Sequence, residues 1–305
     1  MNNELVSVVM AVHNVEPYII EALKSVQAQT YNNFECIIVD DHSTDSTINV
    51  IYDNFCKIDN RFKLCVNCTD PSKPYVDAHN VSYSLGKGKY LIRFDGDDIM
   101  HPNHIETIVK EMDDHPEYDA VCTNIHRVSL NSDGILCDDI SLTTIPGWGR
   151  RQDDSISEKN IETFNKFPDW QYKENTLSWF NQASAIRKSF YDIYHPKFEV
   201  LKNGDYVFWW SMLSIGAKLH KLNDITLDYR MHTDSICHSD LFKTWKLEDD
   251  CDFQIMLALY KANSFSRYPK GTMFPDGTLS HDNMKVFQNT VEYFKKYKET
   301  HIQHE

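Results

Sequence analysis

Lys89-Tyr-Leu-Ile-Arg-Phe-Asp-Gly-Asp-Asp-Ile-Met-His-Pro102 sets a short apolar and aromatic run directly against a group of acids. Tyr90 to Phe94 has the length and composition of a β-strand, and it stops at Asp95, Asp97 and Asp98, which surround Gly96. In an open parallel sheet, ligands bind beyond the carboxyl ends of the strands, so these acids stand where a ligand is expected. Three neighbouring carboxylates repel one another. A divalent cation with oxygen ligands relieves that repulsion and can hold a diphosphate against the protein. Taken alone, the same residues also suit a solvated acidic turn.

The segments on either side decide between these readings. Leu5 to Val12 and Phe34 to Val39 are nearly continuous apolar runs, the pattern of strands covered on both faces. They end at His13-Asn14 and Asp40-Asp41. Between them Glu16-Pro17 suits a helix start, and Ile20, Leu23 and Val26 form one apolar stripe. Ser43, Thr44 or Asp45 can cap a second helix bearing Ile48, Ile51, Tyr52 and Phe55. Phe62 to Val66 reads as a third strand, followed by a helical face at Ala78, Val81, Ser82 and Leu85 and a stop at Gly86-Lys87-Gly88. Strands alternating with helices predict an α/β fold with a doubly wound, mostly parallel sheet flanked by helices, because parallel neighbours need a crossover between them. Three of these strands end in polar residues, which favours a site over a plain turn.

Beyond Pro102 a helix is expected through Ile105, Ile108, Val109 and Met112, then a strand at Tyr118 to Thr123 and a hairpin turn at Asp133-Gly134. Periodicity fades from Ser141 to Asn175, around Trp148, the adjacent Arg150 and Arg151, and Trp170, as in a binding loop or lid, or else a linker. Gln182 to Ile186, Lys218 to Leu222 and Ile225 to Tyr229 read as further strands. Asn203-Gly204-Asp205 leads into a helix whose Trp209-Trp210 pair suits core packing or a ligand-stacking surface. The division expected is one α/β domain over 1–235, split at about 117/118 into two parts, and a helical carboxyl-terminal tail over 236–305.

At 305 residues, with 41% hydrophobic and 25% charged content, the chain can form a substantial core. A net charge of −14 argues against nucleic acid as a partner and leaves at most peripheral association with a membrane. The amino-terminal run reads as a strand rather than a leader, so a cytoplasmic protein is expected. Among eight cysteines only Cys65 and Cys68 have C-x-x-C spacing, and a single such pair is weak evidence for zinc; all eight read as structural.

Ser7-Val-Val-Met-Ala-Val-His-Asn, Ser25-Val-Gln-Ala-Gln-Thr-Tyr and Phe34-Glu-Cys-Ile-Ile-Val-Asp-Asp-His-Ser-Thr-Asp, in this order, resemble the amino-terminal signature of the family 2 inverting glycosyltransferases of GT-A fold. Asp95-Gly-Asp-Asp resembles that family's D-x-D metal motif, and the similarity extends with falling clarity to about residue 240. The resemblance implies sugar transfer with inversion from a nucleotide-diphosphate donor, a UDP-sugar first, to a carbohydrate or lipid-linked acceptor in surface polysaccharide synthesis. It puts Ala11, His13, Glu16, Asp40, Asn80 and Asp95 along the nucleotide. Asp97, Asp98 and His232 would hold Mn²⁺ or Mg²⁺ on the diphosphate, His232 coming from the late motif Tyr229-Arg-Met-His. Asn203-Gly-Asp-Tyr-Val-Phe-Trp matches the acid-bearing segment and makes Asp205 the catalytic base.

The chain departs from the family pattern in its first block, with Ala11 and His13 where proline and tyrosine are usual. It departs again at His79, since an arginine commonly stands before the asparagine. Asp205 also suits a plain helix N-cap, and His232 a surface residue. A carbohydrate-binding or scaffold protein on the same fold is one alternative. A sugar-phosphate nucleotidyltransferase is another, although His13-Asn14-Val15-Glu16 is not the glycine-rich basic loop that it needs.

Overall fold

The computed structural model describes residues 3–68, 76–130, 136–138, 184–194, 196, 208, 209, 212 and 217–232. The chain divides into two compact units, Met1–His195 with Leu219–Thr233, and Pro196–Lys218 with Asp234–Glu305. In the second, Phe208, Trp209 and Met212 are buried, and the Phe208 and Trp209 rings meet edge to face at 5.1 Å. The expected lid from Ser141 to Asn175, the Asp133-Gly134 turn, Asp205, Trp210 and the tail from 236 lie outside the described residues.

The first unit is built on β1 (Val6–Val12), β2 (Phe34–Asp40), β3 (Phe62–Val66) and β4 (Tyr90–Arg93), all parallel and ordered β3-β2-β1-β4. The crossovers carry α1 (Ile19–Gln27), α2 (Thr47–Ile51), which runs on as a π-helical turn over Tyr52–Cys56, and α3 (Val76–Leu85). Every residue of β2 is buried, as its unbroken apolar run requires of a strand covered on both faces. Ile19, Ala22, Leu23 and Val26 of α1 lie fully buried in the core. Each of the three larger aliphatic side chains, Ile19, Leu23 and Val26, contributes about 1.5–3 kcal/mol on leaving water.

The sheet continues through β5 (Ile99–Met100), β6 (Ala120–Leu130), β7 (Leu136–Asp138), β8 (Ala185–Arg187) and β9 (Leu219–Met231), with α4 (His104–Asp114) before β6 and α5 (Lys188–Tyr194) after β8. Its full order is β3-β2-β1-β4-β8-β6-β9-β5, with β7 paired to β6. Strand β8 is antiparallel to β4 and to β6, whereas β6 and β9 run parallel. The result is a doubly wound, mostly parallel sheet of GT-A type. No described helix is long and apolar enough to cross a membrane.

Two strands differ from their sequence reading. The segments Lys218 to Leu222 and Ile225 to Tyr229 are one strand, β9, bulged where Cys122 faces Lys221 but Asn124 faces Ile225 and Ile125 faces Leu227. Polar Asn223-Asp224 separates the two runs in the sequence, yet the bulge accommodates the exposed pair, with Asn124 Nδ2 donating to the Asn223 carbonyl at 3.2 Å. Strand β5 has no sequence signal of its own. Its two residues are extended because Ile99 and Met100 pair with Asp228 and Leu227, more than a hundred residues away.

One close approach sets the register of β4 on β1. A Cβ on Gly88 would lie 2.4 Å from the Ser7 backbone nitrogen, so only glycine fits there. The Gly88 and Lys87 backbone N–H groups donate to Ser7 Oγ at 2.8 and 2.9 Å, and Ser7 Oγ–H donates to Glu35 Oε1 at 2.7 Å. Lys87 N–H also reaches Glu35 Oε1 at 2.8 Å, and Lys63 pairs with Oε2. Burial alone would raise the Glu35 pKa, but the hydrogen bonds from Lys63, Ser7 and Lys87 outweigh it and leave the carboxyl below its ordinary value.

A folded-state pKa below the unfolded value, about 4.3 for Glu, stabilises the fold above that pH. The contribution is lost as pH falls through the folded value. Glu35→Gln is therefore expected to show a smaller drop in melting temperature between neutral and acid pH than the parent protein. Equal drops in parallel thermal melts would mean that the Glu35 charge contributes nothing.

Candidate active site

The loops that follow β1 and β2 are interlocked. Asn14 (φ 51°) and His42 (φ 61°) both adopt the left-handed backbone conformation that non-glycine residues rarely hold. Asn14 is suited to it, because its Oδ1 accepts hydrogen bonds from the backbone N–H groups of Thr44 at 2.8 Å and Asp45 at 3.3 Å. In return Asn14 N–H donates to Ser43 Oγ at 2.9 Å, Val15 N–H to Thr47 Oγ1 at 2.9 Å and Glu16 N–H to Asp45 Oδ2 at 3.2 Å. Ser46 N–H meets Glu16 Oε2 at 2.9 Å. His13 Nδ1–H donates to the Asp41 carbonyl at 2.6 Å, which leaves Nε2 to accept from Asn14 Nδ2 at 3.1 Å.

Asp40 ends β2 inside this frame and is fully buried. Its Oδ2 accepts from Ser43 N–H at 3.0 Å, while Oδ1 finds no donor among the described residues. A buried acceptor with no partner costs about 1–3 kcal/mol, so a ligand N–H or O–H at this point would recover stabilisation. Asn67, just past β3, closes the wall: its N–H donates to the Asp40 carbonyl at 2.7 Å and its Nδ2 to Asp41 Oδ1 at 2.9 Å.

The acid loop lies beside β1. A Cβ on Gly96 would come within 2.9 Å of Val12 Cγ1 and 3.2 Å of Val15 Cγ2, so the missing side chain is what lets the loop rest on the end of β1. Asp95 is gripped by Arg93, with Nε–Oδ1 at 3.2 Å and Nη2–Oδ2 at 3.1 Å; Arg93 itself is 2% exposed. Residues two apart in an extended segment share a face, which brings this pair together. Asp98 is fully buried, and its Oδ1 accepts from the Arg230 backbone N–H at 2.9 Å, while Oδ2 has no donor among the described residues. Burial, and then repulsion from Asp97 and Asp95, push its pKa well above the carboxylate range. A cation beside these acids would offset that.

Strand β9 brings the last members. His232 Nε2 meets Asp97 Oδ2 at 3.0 Å, and the Tyr18 ring lies against the imidazole with centroids 4.3 Å apart. The Arg230 guanidinium reaches Glu21 Oε2 at 2.6 Å and sits 5.3 Å from the Tyr18 ring centroid.

The structure thus brings together Asp95, Asp97, Asp98 and His232, expected from sequence. It gathers His13, Glu16 and Asp40 about the ends of β1 and β2. Ala11 is a half-buried residue within β1, opposite Val39, and Asn80 is half-buried on α3. Arg93, Arg230, Tyr18 and Glu21 went unassigned in the sequence. The i, i+2 spacing of Arg93 and Asp95 was a legible signal. Nothing local connects Glu21 to Arg230.

Gly96→Ala is expected to push the acid loop off Val12 and Val15, destabilise the fold by about 1–3 kcal/mol and weaken the Asp97–His232 contact. Thermal melts, with the His232 ring signals followed by NMR, check both effects. Unchanged spectra and stability would mean that the loop has room to spare.

An uncharacterized glycosyltransferase of Haemophilus influenzae is 38% identical over 135 residues, 44% of this chain and 41% of that protein, so the chain spans about two fifths of that relative's length. Glycosyltransferase GlyG of Streptococcus pneumoniae is 27% identical over 249 residues, covering 80% of this chain and 76% of GlyG. The crystal structure of Staphylococcus aureus TarS residues 1–349 in complex with UDP-GlcNAc superposes with a TM-score of 0.56 at 18% identity, over 86% of this chain and 72% of that one, a likeness of fold. Residues 7–167, more than half of the chain, match the model of glycosyl transferase family 2, and the protein belongs to that family.

Proposed function

We propose that this protein transfers a sugar, with inversion, from a nucleotide-diphosphate donor, a UDP-sugar first, to a hydroxyl of a carbohydrate or lipid-linked acceptor in polysaccharide synthesis. The action is assigned to the cytoplasm. The observation that carries the reading is the contact of His232 with Asp97 at the acid loop, beside strand ends that also hold Asp40. In this reading Asp40 Oδ1, buried and without a donor, accepts from the nucleotide base. Asp95, fixed by Arg93, faces the base or ribose. His13, Glu16, Ala11 and Asn80 line the rest of the nucleotide.

The acid loop fits a hard divalent cation. Asp97 Oδ2 and His232 Nε2 stand 3.0 Å apart, close to the separation of adjacent ligands on an octahedral ion with bonds of about 2.1 Å. Asp98 adds a buried carboxylate oxygen in need of a partner. Among the described residues no group of three or more His, Cys, Asp or Glu side chains is arranged to hold a metal ion, so phosphate oxygens and water would have to supply most of the coordination. An imidazole ligand favours Mn²⁺ over Mg²⁺. The cation, when bound, would neutralise charge on the diphosphate leaving group.

Catalysis is assigned to Asp205, on sequence pattern alone. Its carboxylate would take the proton of the acceptor hydroxyl as that oxygen attacks the anomeric carbon from the face opposite the diphosphate. Asp205→Asn keeps the size and much of the capping capacity but loses the proton acceptor. Transfer is expected to fall by roughly 10²–10⁴-fold with donor affinity and melting temperature nearly unchanged. An Asn variant that turns over at the parent rate removes Asp205 from the mechanism.

Donor binding is tested at Asp97. Asp97→Ala, and chelation of the parent protein, should each abolish the stabilisation that UDP with Mn²⁺ confers. At about 100 times the dissociation constant that stabilisation is about 2.7 kcal/mol. A thermal-shift screen of nucleoside diphosphates with and without Mn²⁺ reads it out, and a metal-independent shift retained by the variant would refute the cation role.

A further inference from the structure

An imidazole that holds a cation is ordinarily oriented by a hydrogen bond at its second ring nitrogen. His232 meets Asp97 through Nε2, yet its Nδ1 is buried and has no partner among the described residues. What lies against the imidazole is the Tyr18 ring, with centroids 4.3 Å apart and the planes tilted by 38°. Tyr18 immediately precedes α1, and its ring also receives the Arg230 guanidinium at 5.3 Å. One aromatic ring thus contacts both Arg230 and His232, two residues apart at the end of β9. Glu21 completes the grip. It follows Tyr18 by three residues, one helical turn, and its Oε2 lies 2.6 Å from Arg230 Nη2. The Glu21 side chain is 51% exposed and that of Arg230 only 4%. An ion pair with one partner in water adds little to stability as such, but this one fixes a buried guanidinium against the tyrosine ring.

We propose that Tyr18, held by the Glu21–Arg230 pair, is the positioning residue that aims His232 Nε2 at the cation, so that helix α1 sets the cation affinity of the acid loop. The proposal rests on the cation reading above. Packing against Tyr18 takes the role that a hydrogen bond at Nδ1 plays elsewhere, and a ring already locked by its neighbours loses no rotamer freedom when the cation arrives. Tyr18, Glu21 and Arg230 touch neither donor nor cation in this arrangement and act only through His232.

The experiment titrates Mn²⁺ into the intact chain with UDP present, following free Mn²⁺ by electron paramagnetic resonance, and measures Mg²⁺ by competition. The proteins compared are the parent, Tyr18→Leu, Tyr18→Phe and Glu21→Asp. Tyr18→Leu should weaken Mn²⁺ binding about tenfold or more, the range for loss of a group behind a metal ligand. Mg²⁺ should lose less, because an imidazole favours Mn²⁺, so the preference for Mn²⁺ falls. Tyr18→Phe keeps the ring and should restore parent-like affinity. Glu21→Asp keeps the charge but shortens the reach by one methylene; it should lose Mn²⁺ affinity several-fold and shift the His232 ring signals in NMR spectra of the metal-free protein. A merely structural contact would lower the melting temperature and leave the preference between the two cations unchanged. A folded Tyr18→Leu protein with parent Mn²⁺ affinity overturns the proposal, as does one that loses Mn²⁺ and Mg²⁺ equally, or a Tyr18→Phe protein as weak as Tyr18→Leu. Where Tyr18→Leu fails to fold, parent affinity and unmoved His232 signals in Glu21→Asp overturn it instead. A parent protein that holds no Mn²⁺ overturns the cation reading and this proposal with it, an outcome distinct from a parent that binds Mn²⁺ and a Tyr18→Leu protein that binds it equally.

Discussion

The hydrogen bond from the Arg230 backbone N–H to Asp98 Oδ1, 2.9 Å long and fully buried, joins the two halves of the sheet. Asp98 belongs to the loop after β4, in the parallel half, whereas Arg230 lies on β9, reached only after more than a hundred further residues. Because the donor is a main-chain group, the bond fixes the path of β9 and not merely one side chain. Once that path is set, Arg230 turns its guanidinium to Glu21 and His232 arrives at Asp97, two residues further on. A carboxylate this deeply buried needs such partners, and a second one remains to be supplied at Oδ2.

The same constraint explains the unusual face of β9. Beyond the bulge its even-numbered residues, Thr226, Asp228 and Arg230, form a polar row. Thr226 meets His104 at 2.6 Å and Thr123 at 2.7 Å, and Asp228 holds both His101 at 2.9 Å and His126 at 3.2 Å. Arg230 and His232 continue the row toward the acids. Alternation in a half-solvated strand normally puts the apolar face inward, yet here Thr226 and Arg230 are buried. Each is tolerated because it is hydrogen-bonded, and the row leads toward the acid loop from the far half of the sheet.

Much of the parallel half was legible in the sequence because its signals are local. Unbroken apolar runs gave β1 and β2, the 3.6-residue stripe gave α4 and also α1, although there Ile19 is buried and the expected Ile20 is exposed, and the abrupt change from Phe94 to Asp95 marked the acid loop. What escaped was set by distance along the chain. Strand β5 exists only through pairing with β9, and the bulge at Asn223-Asp224 looks like a turn until β6 is laid beside it. The site divides in the same way. The acids and His232 stand out by type and motif, but Arg230 draws its role from a main-chain donor and from Glu21, neither of which any residue spacing reveals. The assignment of Asp205 remains one of sequence pattern.

The electrostatics of the acid loop follow from how its cations are already committed. The chain carries a net charge of −14, so nothing in its overall field draws an anionic diphosphate toward three carboxylates. Arg93 is engaged with Asp95 and the Arg230 guanidinium with Glu21, so both arginines near the loop are directed at protein acids. His232 can offset Asp97 only when protonated, and imidazolium cannot at the same time serve as a ligand. With the imidazole neutral and the arginines engaged, Asp97 lacks a compensating cation, while burial and the neighbouring acids raise the Asp98 pKa and hold that carboxyl toward its neutral form until a cation arrives. A diphosphate brought to this loop without a cation would add like charge to like. The proposed metal would thus answer a deficit that the described residues leave, and it would make donor and cation affinities mutually dependent, since each would remove the repulsion that opposes the other.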